Sequence, residues 1–120
     1  MRVLFLEDDP TMQRLIKTLL EIEGFELIGY REAQPGVIID MIQGARPDVV
    51  LMDIHLGKVS GLDLLRIIRS DSNCKEITII MTSGMDLRIE CLEAGANYFL
   101  MKPYMPGDLV QLIRSQEKMR

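Results

Sequence analysis

The chain has 120 residues, of which 48% are hydrophobic and 27% are charged, as in one ordinary globular domain spanning residues 1–120. Its net charge of −4 and pI near 5.0 argue against nucleic acid as a direct partner, since a basic face would be expected there. No apolar run approaches a membrane span and no signal peptide precedes the first strand, so we expect a cytoplasmic protein without a membrane partner. Cys74 and Cys91 lack the spacing of a metal or redox motif, and we expect reduced structural thiols.

Apolar runs alternate with helical patterns along the first part of the chain. Residues 2–6 and 25–29 are predicted strands. A helix lies between them, with Asp9 as its N-cap, Pro10 as its first residue and Gly24 as its C-terminal stop.

The next helix and strand lead to a single carboxylate. Pro35 is predicted to open the second helix, which Gly44 and Pro47 close. Residues 49–52 are all apolar, and Asp53 ends this run. Such a strand is typical of a parallel sheet covered by helices on both faces, where chemistry lies beyond the carboxyl ends of the strands. Asp53 is therefore the first candidate for a reactive residue.

Two more strands and three more helices are predicted in the second half. A loop over 54–60 precedes a third helix, residues 77–81 form a fourth strand, and a short helix covers about 86–94. A fifth strand follows, and a last helix begins at about Pro106 and carries Arg114, Lys118 and Arg120 near its end, which suits the helix dipole. Five alternations of strand and helix predict a doubly wound α/β domain with a five-stranded parallel sheet and helices on both faces.

Polar or charged side chains follow four of the predicted strands. If the strands are parallel, these groups meet at one edge of the sheet. Crowded carboxylates repel one another, and a bound hard cation such as Mg²⁺ is the usual resolution. The groups concerned are Glu7, Asp8, Asp53, Thr82 and Lys102.

This set of groups has a chemical logic in phosphoryl transfer. An aspartate can be a nucleophile toward phosphorus, and a cation, a lysine and a hydroxyl can stabilise the transferring group. Each residue alone has a plainer explanation: Asp53 as a turn residue, Lys102 as a solvated side chain and Thr82 as a structural hydroxyl. The joint pattern is far more specific, because separate strands must each end in the right group.

The same residues belong to a set of motifs spread over essentially the whole chain. They are Glu7-Asp8, Asp53 after Val-Val-Leu-Met, Gly61, Thr82-Ser83 after Ile-Ile-Met, Ala94-Gly95-Ala96, Phe99 and Lys102-Pro103. On these motifs the chain resembles the receiver domain of two-component response regulators, and among them the single-domain chemotaxis regulators. The resemblance implies a flavodoxin-like fold with strand order 2-1-3-4-5.

The resemblance also implies a role for each site residue. Asp53 would be the phosphoacceptor, and Thr82 and Lys102 would contact the phosphoryl group. Phe99 takes the place of the switch aromatic that moves with Thr82, and Asp9 is not expected to be a ligand. Mg²⁺ would be bound by Asp8, by Asp53, by Glu7 through water and by the backbone carbonyl of His55, and the Lys102–Pro103 bond is expected to be cis.

Three features depart from the pattern of that family. Gly57 stands where proline is frequent, so we expect a more flexible loop. Thr82 and Lys102 are 20 residues apart, about two fewer than the family pattern, which shortens the fourth helix or the loop before it. Ser83 stands where alanine or glycine is common in the family, and it could compete with Thr82 for the switch role; we prefer Thr82 by its place after Ile-Ile-Met. The side chain of His55 is expected to be exposed; a lesser role in controlling the access of water remains open for His55 and Gly84.

We therefore expect a phosphorylation switch that catalyses only its own phosphorylation and dephosphorylation and is otherwise not an enzyme. The expected partners are a histidine kinase or phosphotransfer protein and an unknown downstream protein, with the chain a monomer or a phosphorylation-linked dimer. Three alternatives stay open: a hydrolase with an aspartate nucleophile, a degenerate scaffold and a flavin-binding domain. Against the hydrolase, the chain has His55 where such an enzyme would need a carboxylate. Against the scaffold, the chain retains the complete set of site residues. Against the flavin-binding domain, the loop after the first strand is acidic, whereas flavin binding would need a loop rich in Ser, Thr and Gly.

Overall fold

The centre of the computed structural model, which describes residues 1–118, is a sheet of five strands. The strands are β1 (Arg2–Leu6), β2 (Glu26–Tyr30), β3 (Val49–Asp53), β4 (Thr78–Ser83) and β5 (Tyr98–Met101). They lie in the order β2-β1-β3-β4-β5, and each neighbouring pair is parallel. The predicted doubly wound sheet and its strand order are confirmed.

Five helices connect and cover these strands. Arg120, predicted at the end of the last helix, lies outside the described residues. No helix in residues 1–118 is both long enough and apolar enough to cross a membrane. The helices are α1 (Pro10–Ile22), α2 (Ile38–Ala45), α3 (Gly61–Ser70), α4 (Arg88–Glu93) and α5 (Pro106–Lys118).

The sheet separates two hydrophobic cores, because successive side chains of a strand point to opposite faces. In β1, Leu4 and Leu6 join the core under α2, α3 and α4, while Val3 and Phe5 join the core under α1 and α5. All five residues of β3 are buried, as the unbroken apolar run predicts. The end of β3 is therefore held by packing on both sides, which fixes the position of Asp53.

Local capping agrees with the sequence at α1. Asp9 is the N-cap, and its carboxylate accepts hydrogen bonds from the N–H groups of Thr11 and Met12. Pro10 is the first helical residue, and Gly24, with φ of +90°, follows the helix in the left-handed region. This capping sets where the chain leaves β1 and therefore where Glu7 and Asp8 lie.

Several predicted boundaries are wrong by a few residues. β2 begins at Glu26, and α2 begins at Ile38 because the carbonyl of Gln34 accepts from the N–H groups of Val37 and Ile38 and forms a turn after Pro35. The fourth helix has only six residues, two fewer at its start and one fewer at its end than predicted. The predicted loop over 54–60 contains a small antiparallel hairpin, the 55–60 hairpin, formed by His55–Leu56 and Val59–Ser60.

Candidate active site

The register of the sheet brings the predicted strand ends together. Met52 of β3 is paired with Leu6 of β1, so Glu7, the next residue after Leu6, lies beside Asp53. On the other side of β3, Asp53 itself is paired with Thr82 of β4. The carboxylates that follow β1 and β3 and the hydroxyl at the end of β4 therefore share one edge of the sheet.

Three carboxylates form a cluster at this edge. Glu7, Asp8 and Asp53 each offer an oxygen, and these oxygens all lie within 4.8 Å of one another. Glu7 is 2% exposed and Asp53 is 5% exposed. Carboxylates at this separation repel one another, most strongly where they are buried like Glu7 and Asp53, so the cluster requires a compensating positive charge.

Lys102, which follows β5, supplies a positive charge to two of the three carboxylates. Its ammonium nitrogen Nζ lies 2.5 Å from Oε1 of Glu7 and also contacts Oδ2 of Asp53. Burial raises the pKa of Glu7 above its ordinary value, and the hydrogen bond from Lys102 opposes that rise. Burial lowers the pKa of Lys102, but its bonds to Asp53 and Glu7 outweigh burial, and the net pKa is raised. Lys102 is therefore charged at neutral pH.

Backbone N–H groups hold the same carboxylates from other directions. The N–H of Asp9 donates to Oε2 of Glu7 at 3.3 Å, and the N–H of His55 donates to Oδ1 of Asp53 at 2.8 Å. The N–H of Gly57 donates to Oδ2 of Asp8 at 3.0 Å. The side chain of His55 is exposed, as expected from the sequence, so its backbone is the part that meets the site.

The donor set fits a hard divalent cation. When all four groups are ionised, three carboxylates against one ammonium leave an excess of two negative charges. The candidate ligands are all oxygens, with no thiolate or imidazole in the cluster, and oxygen ligands are those that Mg²⁺ and Ca²⁺ take in proteins.

The two hydroxyls at the end of β4 have different surroundings. Ser83 is completely buried, and its Oγ accepts a hydrogen bond from the N–H of Met85 at 3.0 Å, which closes the turn after the strand. Thr82 is buried beside Asp53 in the sheet register. The hydroxyl of Ser83 thus has a structural partner in the turn, and Thr82 is the neighbour of Asp53.

Phe99 lies on β5, next to Met81 of β4, and it is 3% exposed. The guanidinium of Arg88, on α4, lies 5.4 Å from the centre of the Phe99 ring in a cation–π contact. Three apolar side chains of α4 and β5 are exposed, namely Ile89, Leu92 and Met101. The Lys102–Pro103 peptide bond that follows β5 is cis.

The family follows from this fold and site together with a direct match of the sequence. Residues 3–114 match the family described as the response regulator receiver domain. The chain belongs to this family. It is a receiver domain of two-component response regulators, which act in phosphorylation-dependent signalling.

Similar proteins include regulators about twice as long as this chain and others of similar length. The DNA-binding response regulator MtrA of Mycolicibacterium smegmatis is 30% identical over 118 residues, which are 96% of this chain and 50% of MtrA. This receiver domain thus spans about half the length of the MtrA relatives that it matches. Chemotaxis protein CheY1 of Helicobacter pylori is 38% identical over 111 residues, with 88% of each chain covered.

One of the similar solved structures contains a metal ion. The receiver domain of the sensor histidine kinase PA1611 from Pseudomonas aeruginosa has a TM-score of 0.83 and is 26% identical, and the match covers 96% of this chain and 95% of that chain. That structure contains a magnesium ion coordinated in the active-site cleft.

Arg69, on α3, makes contacts that the sequence did not reveal. Its guanidinium donates to the carbonyl of Gly95 at 2.8 Å and to Oδ1 of Asn97 at 2.8 Å, and it also reaches the carbonyl of Cys74. A Cβ atom on Gly95 would lie 2.6 Å from Cγ of Arg69. Arg69 therefore ties the end of the short α4 segment to α3, through contacts between residues far apart in sequence.

Proposed function

We propose that this receiver domain is a switch in which Asp53 accepts a phosphoryl group from a phosphohistidine of a histidine kinase or phosphotransfer protein. The observation that carries this proposal is the bridge from Lys102 to both Asp53 and Glu7 inside a cluster of three carboxylates. Such a site presents a nucleophile next to a fixed cation, which is what phosphoryl transfer to a carboxylate requires.

Mg²⁺ would be bound by carboxylate oxygens of Asp8 and Asp53 and by the carbonyl of His55, with Glu7 acting through water. When bound, Mg²⁺ supplies positive charge that offsets the charge of the incoming phosphoryl group. The oxygen-only donor set and its excess negative charge support this assignment. The magnesium ion in the PA1611 receiver domain supports it as well.

The transfer itself needs few protein groups. A carboxylate oxygen of Asp53 forms a bond to phosphorus while the phosphorus–nitrogen bond of the donor breaks, and the imidazole leaves with the electron pair. Lys102 then holds an oxygen of the phosphoryl group in place of its present contact with Asp53. Thr82, beside Asp53 in the register, donates its hydroxyl to another phosphoryl oxygen.

The signal would leave the site through β4 and β5. Movement of Thr82 toward the phosphoryl group changes the packing at the ends of these strands, where Phe99 lies under Arg88. The exposed apolar surface of α4 and β5 would thereby change its affinity for a downstream protein. We further propose that the domain catalyses only its own phosphorylation and dephosphorylation. It would act in the cytoplasm, as a monomer or a phosphorylation-linked dimer. It would make no direct contact with nucleic acid or a membrane.

The test is a phosphorylation assay on the intact protein. Incubation with Mg²⁺ and a small acyl phosphate is expected to add one labile phosphoryl group, detected by mass spectrometry. The adduct should be absent in Asp53→Asn and absent when Mg²⁺ is chelated. Asp40→Asn, at an exposed aspartate of α2, is the matched control and should be phosphorylated like wild type.

Two other outcomes would contradict the proposal. A wild-type protein that never gains a phosphoryl group would favour a scaffold role. Continuous turnover of varied phosphate esters would favour a hydrolase, for which His55 stands where a carboxylate acid–base group would be needed.

A further inference from the structure

The 55–60 hairpin is held by one buried side chain and by a hydrogen bond to the residue that follows β3. Leu56 is 1% exposed and belongs to the core under α2, α3 and α4, so it anchors one strand of the hairpin. After the second strand, the N–H of Gly61 donates to the carbonyl of Ile54 at 2.6 Å. A Cβ atom at Gly61 would lie 2.4 Å from the carbonyl oxygen of Asp53, so only glycine fits there. The position of the hairpin is therefore coupled to that of Asp53.

Gly57, at the turn of this hairpin, makes a long-range hydrogen bond. Its N–H donates to Oδ2 of Asp8 at 3.0 Å, across 49 residues of sequence. Its φ of +64° lies in the left-handed region, which glycine adopts readily and most other residues adopt only with strain.

The orientation of the Asp8 carboxylate depends on fewer hydrogen bonds than the orientations of Glu7 and Asp53 do. Lys102 contacts Glu7 and Asp53, and each of those carboxylates also accepts a hydrogen bond from a backbone N–H. Within residues 1–118, the N–H of Gly57 is the hydrogen-bond donor that the structure gives to the side chain of Asp8. The orientation of Asp8 is thus set from the hairpin.

We propose that Gly57 is a positioning residue for the cation site, and that its N–H holds one oxygen of Asp8 so that the other is available to Mg²⁺. The inference rests on the proposed function, because it specifies how one carboxylate of that site is oriented. Together with the N–H of His55, which holds Asp53, the bond makes the hairpin backbone a single template for two metal ligands. Loss of a group that hydrogen-bonds to a metal ligand typically weakens metal binding by about 10- to 100-fold.

A purely structural role makes a different prediction. If the bond only closes the hairpin turn, its loss lowers the stability of the fold and leaves the affinity for Mg²⁺ unchanged. The decisive experiment therefore removes the N–H of Gly57 alone and measures the affinity for Mg²⁺.

The experiment replaces the Leu56–Gly57 amide by an ester in the full chain, assembled by ligation at Cys74. A second ester at the Gly57–Lys58 bond is the matched control, because the N–H of Lys58 donates to no described residue. Gly57→Asn is a further control that keeps the N–H in a residue that tolerates the left-handed region. Binding of Mg²⁺ is followed by NMR titration of the backbone amides.

We expect the ester at Gly57 to bind Mg²⁺ about tenfold more weakly than wild type. The Lys58 ester and Gly57→Asn should bind within about twofold of wild type, since both keep the Gly57 N–H. A readout without metal accompanies the titration: the Gly57 amide proton should be protected from exchange with solvent in metal-free wild type, and this protection should disappear in Asp8→Ala.

The outcomes separate the inference from the proposed function. Equal Mg²⁺ affinity of wild type and the Gly57 ester would overturn the inference and leave the metal site intact. Unchanged protection of the Gly57 amide in Asp8→Ala would also overturn it. A wild-type protein that does not bind Mg²⁺ would overturn the metal part of the proposed function and, with it, this inference.

Discussion

Lys102 is the residue on which the electrostatics of the site depend. It contacts two carboxylates that are almost completely buried, while its own side chain keeps contact with solvent. Removing one partner of a buried ion pair is costly because the other charge is left in a medium of low polarity. The same lysine that the resemblance assigns to the phosphoryl group therefore also stabilises the metal-free fold.

Lys102→Met should lower the free energy of unfolding by about 3 kcal/mol near neutral pH in the absence of Mg²⁺. The loss should shrink as the pH falls. Burial raises the pKa of Glu7, loss of the lysine raises it further, and protonation of Glu7 then relieves its repulsion with Asp53. Urea unfolding at about pH 7 and about pH 5 measures the difference, with Lys17→Met at an exposed lysine of α1 as the control. A deficit that is the same at both pH values would contradict this account.

The meeting of the site residues at one edge of the sheet could be predicted, because each lies at or just beyond the end of its own strand. Parallel pairing places the ends of all strands at one edge of the sheet, so no long-range contact has to be known in advance. The residues placed in this way are Glu7, Asp53, Thr82 and Lys102. The bond from Gly57 to Asp8 could not be predicted, since it joins residues 49 apart through the direction of one N–H.

At the scale of elements, the junction between β3 and α3 leaves no room for a side chain at Gly61. Gly61 is the first residue of α3, and a Cβ there would lie 2.4 Å from the Asp53 carbonyl oxygen and 2.8 Å from Cα of Ile54. These are backbone atoms, which cannot rotate away as a side chain can. The strand that carries Asp53 and the helix behind it are therefore held at a distance that only glycine permits.

Gly61→Ala should destabilise the fold by about 2 kcal/mol and reduce phosphorylation of Asp53. Gly44→Ala is the matched control, because Gly44 lies within α2 and, outside that helix, no atom of residues 1–118 lies within 4 Å of the position of its would-be Cβ. That change should stabilise the protein by about 0.5–1 kcal/mol through helix propensity and leave phosphorylation unchanged. Thermal unfolding and the mass assay distinguish the two; equal effects of both substitutions would show that the junction is not tight.

Element types were predictable, but ends and short elements were not. The apolar periodicity of α5 and the buried run of β3 are local signals, and both elements lie where the sequence predicts. The 55–60 hairpin has only two residues in each strand and depends on burial of Leu56, which no local pattern shows. The length of α4 depends on tertiary contacts as well, because Arg69 binds the segment that follows it.

At the scale of the whole molecule, titratable side chains at both cores make the free energy of unfolding depend on pH in the alkaline range. Burial raises the pKa of Cys91, in the core under α2, α3 and α4, to about 11. Burial also raises the pKa of Tyr104, which packs against the core under α1 and α5, to about 12. In each case the unfolded chain loses its proton at a lower pH than the folded protein does. Between those two pH values a rise in pH therefore favours unfolding.

The free energy of unfolding should consequently fall between about pH 9 and about pH 12, and the raised pKa of Lys102 acts in the same direction. Tyr104→Phe removes one of the groups responsible, and the fall above about pH 10 should be shallower in this variant than in wild type. Urea unfolding at about pH 8 and about pH 11 measures both slopes, and Tyr30→Phe, at an exposed tyrosine of β2, serves as the control. If Tyr104→Phe and wild type lose stability in parallel, the hydroxyl of Tyr104 ionises as easily in the folded protein as in the unfolded chain. Burial against α1 would then not be what keeps that hydroxyl protonated.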